Sequence, residues 1–166
     1  PEQPLWFQIY VNPDRDIVLD QIKDCEAAGM KALCITVDSA VAGKRERDLR
    51  NKIRRQIETD LKATKAATGR TRKAGTYANR DPALNWDDVE WFQKHTSMKI
   101  VIKGVQTGLD AVKAAQAGCD AVILSNHGGR NLDTSRSGIE ILPEVMRDLK
   151  EAGLEKKIDV FVDGGI

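Results

Sequence analysis

The chain has 166 residues, of which 41% are hydrophobic and 31% are charged, and its formal net charge is +1. This length and apolar content suffice for one folded domain, and recurrent apolar runs exclude a disordered chain. No stretch approaches the roughly 20 apolar residues of a spanning helix, so we expect a soluble protein without a transmembrane segment. The three cysteines, Cys25, Cys34 and Cys119, cannot all pair with one another, which favours a reducing, intracellular location, mitochondrial or cytoplasmic.

Charge is distributed unevenly along the chain. Residues 44–80 contain 13 basic and four acidic residues, a net of +9, whereas the remainder contains 13 basic and 21 acidic residues, a net of −8. Residues 44–80 therefore form a basic segment within an otherwise acidic chain. The sequence starts at Pro1 and stops at Ile166 directly after a predicted buried strand. We expect it to be a fragment, residues 1–166, of a single longer domain.

The hydrophobic pattern predicts alternating strands and helices. In chain order the strands cover residues 6–11, 32–38, 99–105, 120–126 and 157–165, and the helices cover residues 16–29, 86–95, 108–118 and 139–153. Gly29 is expected to cap the first helix, and Asn85 to be the N-cap of the second. This alternation is typical of parallel strands. Both an open doubly wound sheet and about five eighths of a (β/α)8 barrel, which has about 250 residues, fit the pattern.

Polar residues follow nearly every predicted strand. In parallel α/β folds the reactive groups lie at the carboxyl ends of the strands. The residues at these positions are Gln8, Tyr10, Thr36, Asp38, Lys103, Ser125, His127, Arg130, Asp163, Gly164 and Gly165. So many polar strand exits indicate a reaction or binding site rather than an inert scaffold.

The segment SNHGGR, residues 125–130, is the sharpest local motif. His127 and Arg130 could place a base and a cation around one small anion, although a tight turn with a hydrogen-bonded loop histidine is the alternative. Asp38 could stabilise a charged His127 or could only cap a turn. Lys103, at the end of an apolar strand, needs an anionic or electron-rich partner, because burying it unpaired is costly.

Six segments in this order resemble the FMN-dependent α-hydroxy acid oxidase/dehydrogenase family, and within it the flavin domain of flavocytochrome b2. They are WFQIYVNPDR (6–15), ALCITVDSAVAGKRERDLRNK (32–52), DPALNWDDVEWF (81–92), KIVIKGVQ (99–106), VILSNHGGRNLD (122–133) and VFVDGGI (160–166). The resemblance implies a partial (β/α)8 TIM barrel containing strands three to seven, with residues 44–80 as a long, basic and mobile loop after strand four. It also implies FMN at the carboxyl face and, for the full-length protein, a homotetramer.

The same resemblance implies a role for each site residue. The catalytic pair would be His127 as base and Asp38 as its partner. The substrate would be bound by Tyr10, Arg45 and Arg130. FMN would be bound by Gln8, Thr36, Lys103, Ser125, Asp163, Gly164 and Gly165, and no metal is expected. The reaction would oxidise a lactate-like L-2-hydroxy acid to the 2-oxo acid and pass electrons to a cytochrome, a quinone or oxygen.

The sequence departs from the family pattern at several points. Ser39-Ala40 follows Asp38 where the family has Ala or Thr and then Pro, and Asn131 stands where Gln is usual. Strands one, two and eight, with the phosphate site of strand eight, are not in the sequence. Loop 44–80 could alternatively bind nucleic acid, but Tyr77 is its only aromatic residue, so a lid or a docking surface for an acidic electron acceptor is favoured. A nucleotide-handling barrel of the IMP dehydrogenase type would need a catalytic cysteine at a strand exit, where none stands.

Overall fold

A computed structural model of the chain describes residues 3–41, 46 and 80–164. These residues form one five-stranded sheet, four α-helices and a short 3-10 helix at His127–Gly129. The strands are β1 (Trp6–Ile9), β2 (Ala32–Thr36), β3 (Lys99–Val105), β4 (Ala121–Leu124) and β5 (Asp159–Val162). The helices are α1 (Arg15–Ala27), α2 (Asp88–His95), α3 (Gly108–Gln116) and α4 (Gly138–Glu151). Apart from Glu46 and Arg80, the predicted basic loop 44–80 lies outside the described residues.

All strand pairs are parallel, and the strands lie in the sheet in their chain order, β1 to β5. The register aligns Thr36 with Lys103 and Lys103 with Ile123. Because the strands run in one direction, their carboxyl ends meet at one edge of the sheet. The residues that follow the strands are therefore neighbours in space.

The sheet curls so strongly that side chains of its two outermost strands touch. The rings of Trp6 in β1 and Phe161 in β5 meet edge to face, with their centroids 5.2 Å apart. A flat sheet of this width would separate its edges by about 19 Å, at about 4.8 Å per strand. Curvature and sequential strand order identify a segment of a (β/α)8 barrel and exclude the doubly wound alternative.

The two faces of the sheet carry different side chains. Large apolar residues, among them Leu33, Ile102 and Leu124, pack in the main core together with residues from the helices. The other face is lined by small buried residues, Ala32, Cys34, Val101 and Ala121, with the partly buried Ile123 against them. This second face is the inner surface of the curl, and it leads to the strand exits.

Helix boundaries agree with the sequence pattern except at α2. Gly29 follows α1 with φ +75°, as the predicted cap requires. The prediction that Asn85 caps α2 is wrong, because the helix starts at Asp88 after Asp87. Asn85 Oδ1 accepts a hydrogen bond from the Asp87 N–H at 2.9 Å, and Asp88 Oδ2 accepts from the Asn85 N–H at 2.9 Å. These bonds build a separate turn ahead of the helix.

The three cysteines are free and buried. Burial, with a smaller effect of the Asp120 charge, raises the pKa of Cys119 to about 12. Across the described residues, no helix is both long and apolar enough to cross a membrane.

Candidate active site

Polar residues continue the inward-facing rows of the sheet. Alternate residues of a strand point to the same face of the sheet. In each strand, the last side chain on the inner face, at the carboxyl end, is polar. The residues in these positions are Gln8, Thr36, Lys103, Ser125 and Asp163. All five were predicted as cofactor-binding residues, and the curl of the sheet brings them together.

His127 is held between two side chains from distant parts of the sequence. Its Nδ1 lies 2.9 Å from Asp38 Oδ1, and its Nε2 lies 3.2 Å from the Tyr10 hydroxyl. An ionised carboxylate only accepts, so Nδ1 carries the proton of the neutral ring. Nε2 is then the acceptor and faces Tyr10. The His127 side chain is only 5% exposed and that of Asp38 10%, so this contact is largely shielded from water.

The loop that carries His127 is strained. His127, Gly128 and Gly129 have φ values of +57°, +64° and +67°. Glycine adopts this left-handed conformation freely, but histidine does so at a cost in free energy. Asn126 Oδ1 accepts from the Gly128 N–H at 3.0 Å and the Ser125 hydroxyl accepts from the His127 N–H at 3.1 Å, which together hold the loop in place.

Asp38 is fixed by the neighbouring strand and by Asn131. The register of β3 against β4 shifts between Lys103 and Val105, and Gly104 at the shift has φ +107°. A Cβ atom on Gly104 would lie 2.5 Å from the Asp38 Cβ, so Asp38 packs directly on the glycine. Asn131 Nδ2 donates to the Asp38 carbonyl oxygen at 2.8 Å.

A second group of charges adjoins the histidine. Lys103 Nζ lies 2.5 Å from Asp163 Oδ2 and 3.0 Å from the Ser125 hydroxyl. Burial acts to raise the pKa of Asp163, but hydrogen bonds from Lys103 and Ser125 and the charge of Lys103 outweigh this, and the pKa of Asp163 lies below its ordinary value. Ser125 touches both groups, so they form one continuous site.

The remaining predicted residues divide into two sets. Gln8 Nε2 donates to Thr36 Oγ1 at 2.8 Å beside this site. Arg130 is exposed on the histidine loop, where its Nε donates to the His127 carbonyl oxygen at 2.9 Å. Gly164 has φ +88° and lies against Asn126. Arg45 and Gly165 lie outside the described residues.

The sequence profile of the FMN-dependent dehydrogenases matches residues 1–166. The chain belongs to the FMN-dependent dehydrogenase family. It is 44% identical over 168 residues to the L-lactate dehydrogenase (cytochrome) of Wickerhamomyces anomalus, covering 100% of this chain and 29% of that protein. It is 37% identical over 170 residues to the L-lactate oxidase of a Nostoc strain, covering 97% of this chain and 45% of that protein.

Solved structures lead to the same family. The flavin-binding domain of baker's yeast flavocytochrome b2 superposes with a TM-score of 0.80 at 44% identity, covering 99% of this chain and 37% of that one. The chain thus spans less than half the length of these relatives. The likeness establishes the barrel fold and the family.

The side chains of the site are suited to holding a flavin mononucleotide. Among the described residues, Asp163 Oδ1 is a buried acceptor with no hydrogen-bond donor. A buried acceptor of this kind costs free energy unless it is satisfied, and a hydroxyl of the ribityl chain would satisfy it. Lys103 supplies a cation, while Gln8 and Thr36 add neutral hydrogen-bonding groups. The described residues contain no cluster of three side chains able to bind a metal ion.

Several residues of the site were missed by the sequence interpretation. Gln106 Nε2 donates to the Ser125 carbonyl oxygen at 2.6 Å, and Gly104 makes room for Asp38. Both stand in KIVIKGVQ, a segment that carries the family resemblance but in which only Lys103 was assigned a role. Asn131 had been noted only as a departure from the family pattern. Arg80 had been counted only as part of the basic run, yet its guanidinium lies 4.3 Å from the centroid of the Tyr10 ring.

Proposed function

We propose that the protein oxidises an L-2-hydroxy acid to the corresponding 2-oxo acid with FMN, and passes the electrons to a separate acceptor. The observation that carries this proposal is the His127 imidazole, held between Asp38 and Tyr10 and joined through Ser125 to Lys103 and Asp163. A base and a cation thereby occur in one site. Family membership supports the cofactor and the class of reaction.

His127 would act as the base. Oxidation of the alcohol removes two electrons and two protons, one from the α-carbon and one from the hydroxyl. Nε2 would take one of these protons, and the other would leave with the two electrons that FMN accepts. The imidazolium that forms would be stabilised by the Asp38 carboxylate, 2.9 Å from Nδ1. When the substrate binds, the Tyr10 hydroxyl would donate its hydrogen bond to the substrate instead of to Nε2, which frees Nε2 to accept a proton. Arg130 would pair with the substrate carboxylate through two parallel hydrogen bonds. Arg45 would add a second cation.

FMN, when bound, accepts the two electrons. Lys103, Gln8, Thr36 and Ser125 would hold its ring system and adjoining chain, and Asp163 with Gly164 and Gly165 would hold the ribityl and phosphate side. The Lys103 ammonium would also offset the negative charge that reduction adds. Asp163, which binds Lys103 in the structure, keeps this ammonium at the edge of the site.

Anaerobic reduction of the bound flavin tests the proposal. The FMN-loaded protein is expected to be yellow and to lose its absorbance near 450 nm when an L-2-hydroxy acid is added. His127→Gln should retain FMN but slow this bleaching by at least about 100-fold, the contribution of a general base. A protein that does not bind FMN, or His127→Gln bleached at the wild-type rate, would contradict the proposal.

The acceptor, the assembly and the compartment are finer proposals. Re-oxidation of the reduced protein by cytochrome c, a quinone analogue and oxygen, compared at equal concentrations, distinguishes the three acceptors. We propose a homotetramer for the full-length protein, which light scattering after gel filtration tests. An intracellular location agrees with the three free, buried cysteines, and fractionation of cells tests it.

A further inference from the structure

Arg80 connects the two segments that flank His127. Its guanidinium carbon lies 4.3 Å from the centre of the Tyr10 ring, within range of a cation–π interaction. Its Nη1 donates a short hydrogen bond to the Ser39 hydroxyl and lies 3.5 Å from the Ser39 carbonyl oxygen. The next residue, Asp81, donates its N–H to the Val11 carbonyl oxygen at 2.8 Å, which anchors the backbone beside Arg80.

The two residues that Arg80 contacts, Tyr10 and Ser39, are connected to opposite nitrogens of the His127 ring. On one side, the Tyr10 hydroxyl is 3.2 Å from Nε2. On the other side, Ser39 directly follows Asp38, whose Oδ1 is 2.9 Å from Nδ1. No hydrogen bond joins Arg80 to His127 itself among the described residues, so any influence on the imidazole passes through these two neighbours.

Both contacts are suited to fixing a position. A tyrosine side chain has two rotatable bonds, and a cation stacked on its face restricts how the ring can turn. Ser39 is only 5% exposed, so its hydrogen bond with Arg80 is largely protected from water. Ser39 also stands where the family resemblance implies Ala or Thr, and Arg80 directly precedes the segment 81–92 that carries that resemblance.

We propose that Arg80 is a positioning residue: it fixes the Tyr10 ring beside Nε2 and the Ser39–Asp38 segment beside Nδ1, so that the His127 ring keeps one orientation and the Tyr10 hydroxyl and Nε2 face the substrate together. This inference rests on the proposed function, since it assigns His127 the role of base. It does not make Arg80 a ligand of the substrate or of FMN.

Arg80→Gln in the FMN-loaded protein tests the proposal. This variant loses the charge over Tyr10, and kcat is expected to fall by about 10-fold, as misplacement of a reacting group produces, while KM changes by less than about threefold. Arg80→Lys keeps a cation that can lie over the Tyr10 ring but loses the planar guanidinium, so kcat should fall less than in Arg80→Gln. The control is Arg147→Gln, which removes an exposed arginine paired with Asp148 on α4 and should leave kcat unchanged.

A double-mutant analysis separates positioning from a general structural role. Tyr10→Phe keeps the ring but removes the hydroxyl, and Ser39→Ala removes the buried bond. In the background carrying both changes, Arg80→Gln is expected to alter kcat by less than about twofold, because the groups that it positions are gone. An equal fold-loss in both backgrounds, or a wild-type kcat for Arg80→Gln, would overturn the proposal.

Crystal structures of the variants provide a measurement that needs no turnover. The Tyr10 and His127 rings are expected to rotate away from their wild-type contact in Arg80→Gln and to keep it in Arg80→Lys. Unmoved rings in Arg80→Gln would refute the positioning role even if the proposed reaction is right. Displaced rings in a protein that does not oxidise 2-hydroxy acids would support the positioning role and reject the proposed function.

Discussion

Two lysines of β3 show how differently the ends of the same sheet are built. Lys99 starts the strand and pairs with Asp120 at 2.6 Å, and its side chain is 71% exposed. Lys103, four residues on, pairs with Asp163 at 2.5 Å, and its side chain is only 13% exposed. The first is a solvated ion pair, which contributes little to stability, whereas the second is largely removed from water.

The carboxylates at the two ends differ in the same way. At the amino end, Asp120 accepts from Lys99 and, at 2.9 Å, from the Ile100 N–H, so both of its oxygens are used. At the carboxyl end, Asp38 Oδ2 and Asp163 Oδ1 are buried without a donor among the described residues. Unsatisfied buried acceptors reduce stability. The amino end is thus arranged for stability, and the carboxyl end retains hydrogen-bonding capacity for a ligand.

Asp38→Asn tests this contrast most strongly. The charge that would stabilise a protonated His127 is lost, so kcat is expected to fall about 1,000-fold or more, as when a histidine loses its carboxylate partner in a catalytic triad. Stability should stay the same or rise, because a buried carboxylate with an unsatisfied oxygen is removed. Flavin-reduction kinetics and thermal melting of the same samples check both expectations.

The matched control for this change is Asp159→Asn, at the exposed start of β5. It should leave both kcat and the melting temperature close to wild type. If Asp38→Asn melted several degrees lower and kept its activity, Asp38 would be a structural residue, and the contrast between the two ends would fail.

Gly104→Ala should destabilise the carboxyl end of the sheet, because Gly104 lies in β3 against Asp38. The added methyl group would lie 2.5 Å from the Asp38 Cβ, and φ +107° is unfavourable for alanine. We expect a loss of about 3 kcal/mol in the free energy of unfolding, typical of overpacking combined with backbone strain. Urea denaturation measures it. Gly153→Ala, where φ is +68° and no atom lies within 4 Å of the added group, is the control for backbone strain alone and should cost less.

Features of the fold that depend on local sequence patterns could be predicted, whereas features that depend on contacts between distant residues could not. The five strands follow from apolar runs, and the buried run at 32–36 is a strand as expected. The start of α2 was misplaced because Asn85 and Asp88 bond to each other, a local alternative that residue type alone does not reveal. The choice between barrel and open sheet depended on the resemblance, since curvature arises from contacts such as that between Trp6 and Phe161.

In the site, too, features set by local pattern could be predicted and features set by distant contacts could not. Residues at strand exits could be identified because the exits of parallel strands share an edge, and His127, Asp38 and Tyr10 do meet there. Their roles in catalysis stay predictions. The contact of Arg80 with Tyr10 joins residues 70 positions apart in the sequence. No periodicity or motif announces such a contact, which is why Arg80 was counted only as a charge.

The same substitution at each of the two β3 lysines tests directly whether the two ends of the sheet differ in function. Lys103→Gln is expected to weaken FMN binding by about 10- to 100-fold, because a hydrogen bond from a charged group is lost in a partly buried site. Lys99→Gln should leave FMN affinity unchanged and lower the melting temperature only slightly. Fluorescence titration of the flavin measures both affinities. Equal weakening by the two substitutions would show that overall charge, rather than position at the carboxyl end, governs binding.

The smallest expected effect concerns Glu26 in α1, whose carboxylate is hydrogen-bonded by residues just before β3. Glu26 Oε1 accepts from Thr96 Oγ1 at 2.7 Å and from the Ser97 N–H at 2.9 Å. Hydrogen bonds from Thr96 and Ser97 lower the pKa of Glu26 below its ordinary value of 4.5 despite the opposing effect of burial. Because the folded state holds the proton less tightly than the unfolded state, the ionised group stabilises the fold above that ordinary value. This stabilisation is lost as the pH falls through the lowered folded-state pKa.

Glu26→Gln keeps an acceptor oxygen but removes the charge, so at neutral pH we expect a melting temperature lower by about 2 °C. The difference from wild type should shrink as the pH falls below 4.5, where the wild-type carboxylate also loses its charge. Turnover should be unaffected at every pH at which both proteins are folded. A difference in melting temperature that does not depend on pH would mean that shape rather than charge stabilises this contact. An effect on turnover would mean that the two ends of the sheet are coupled.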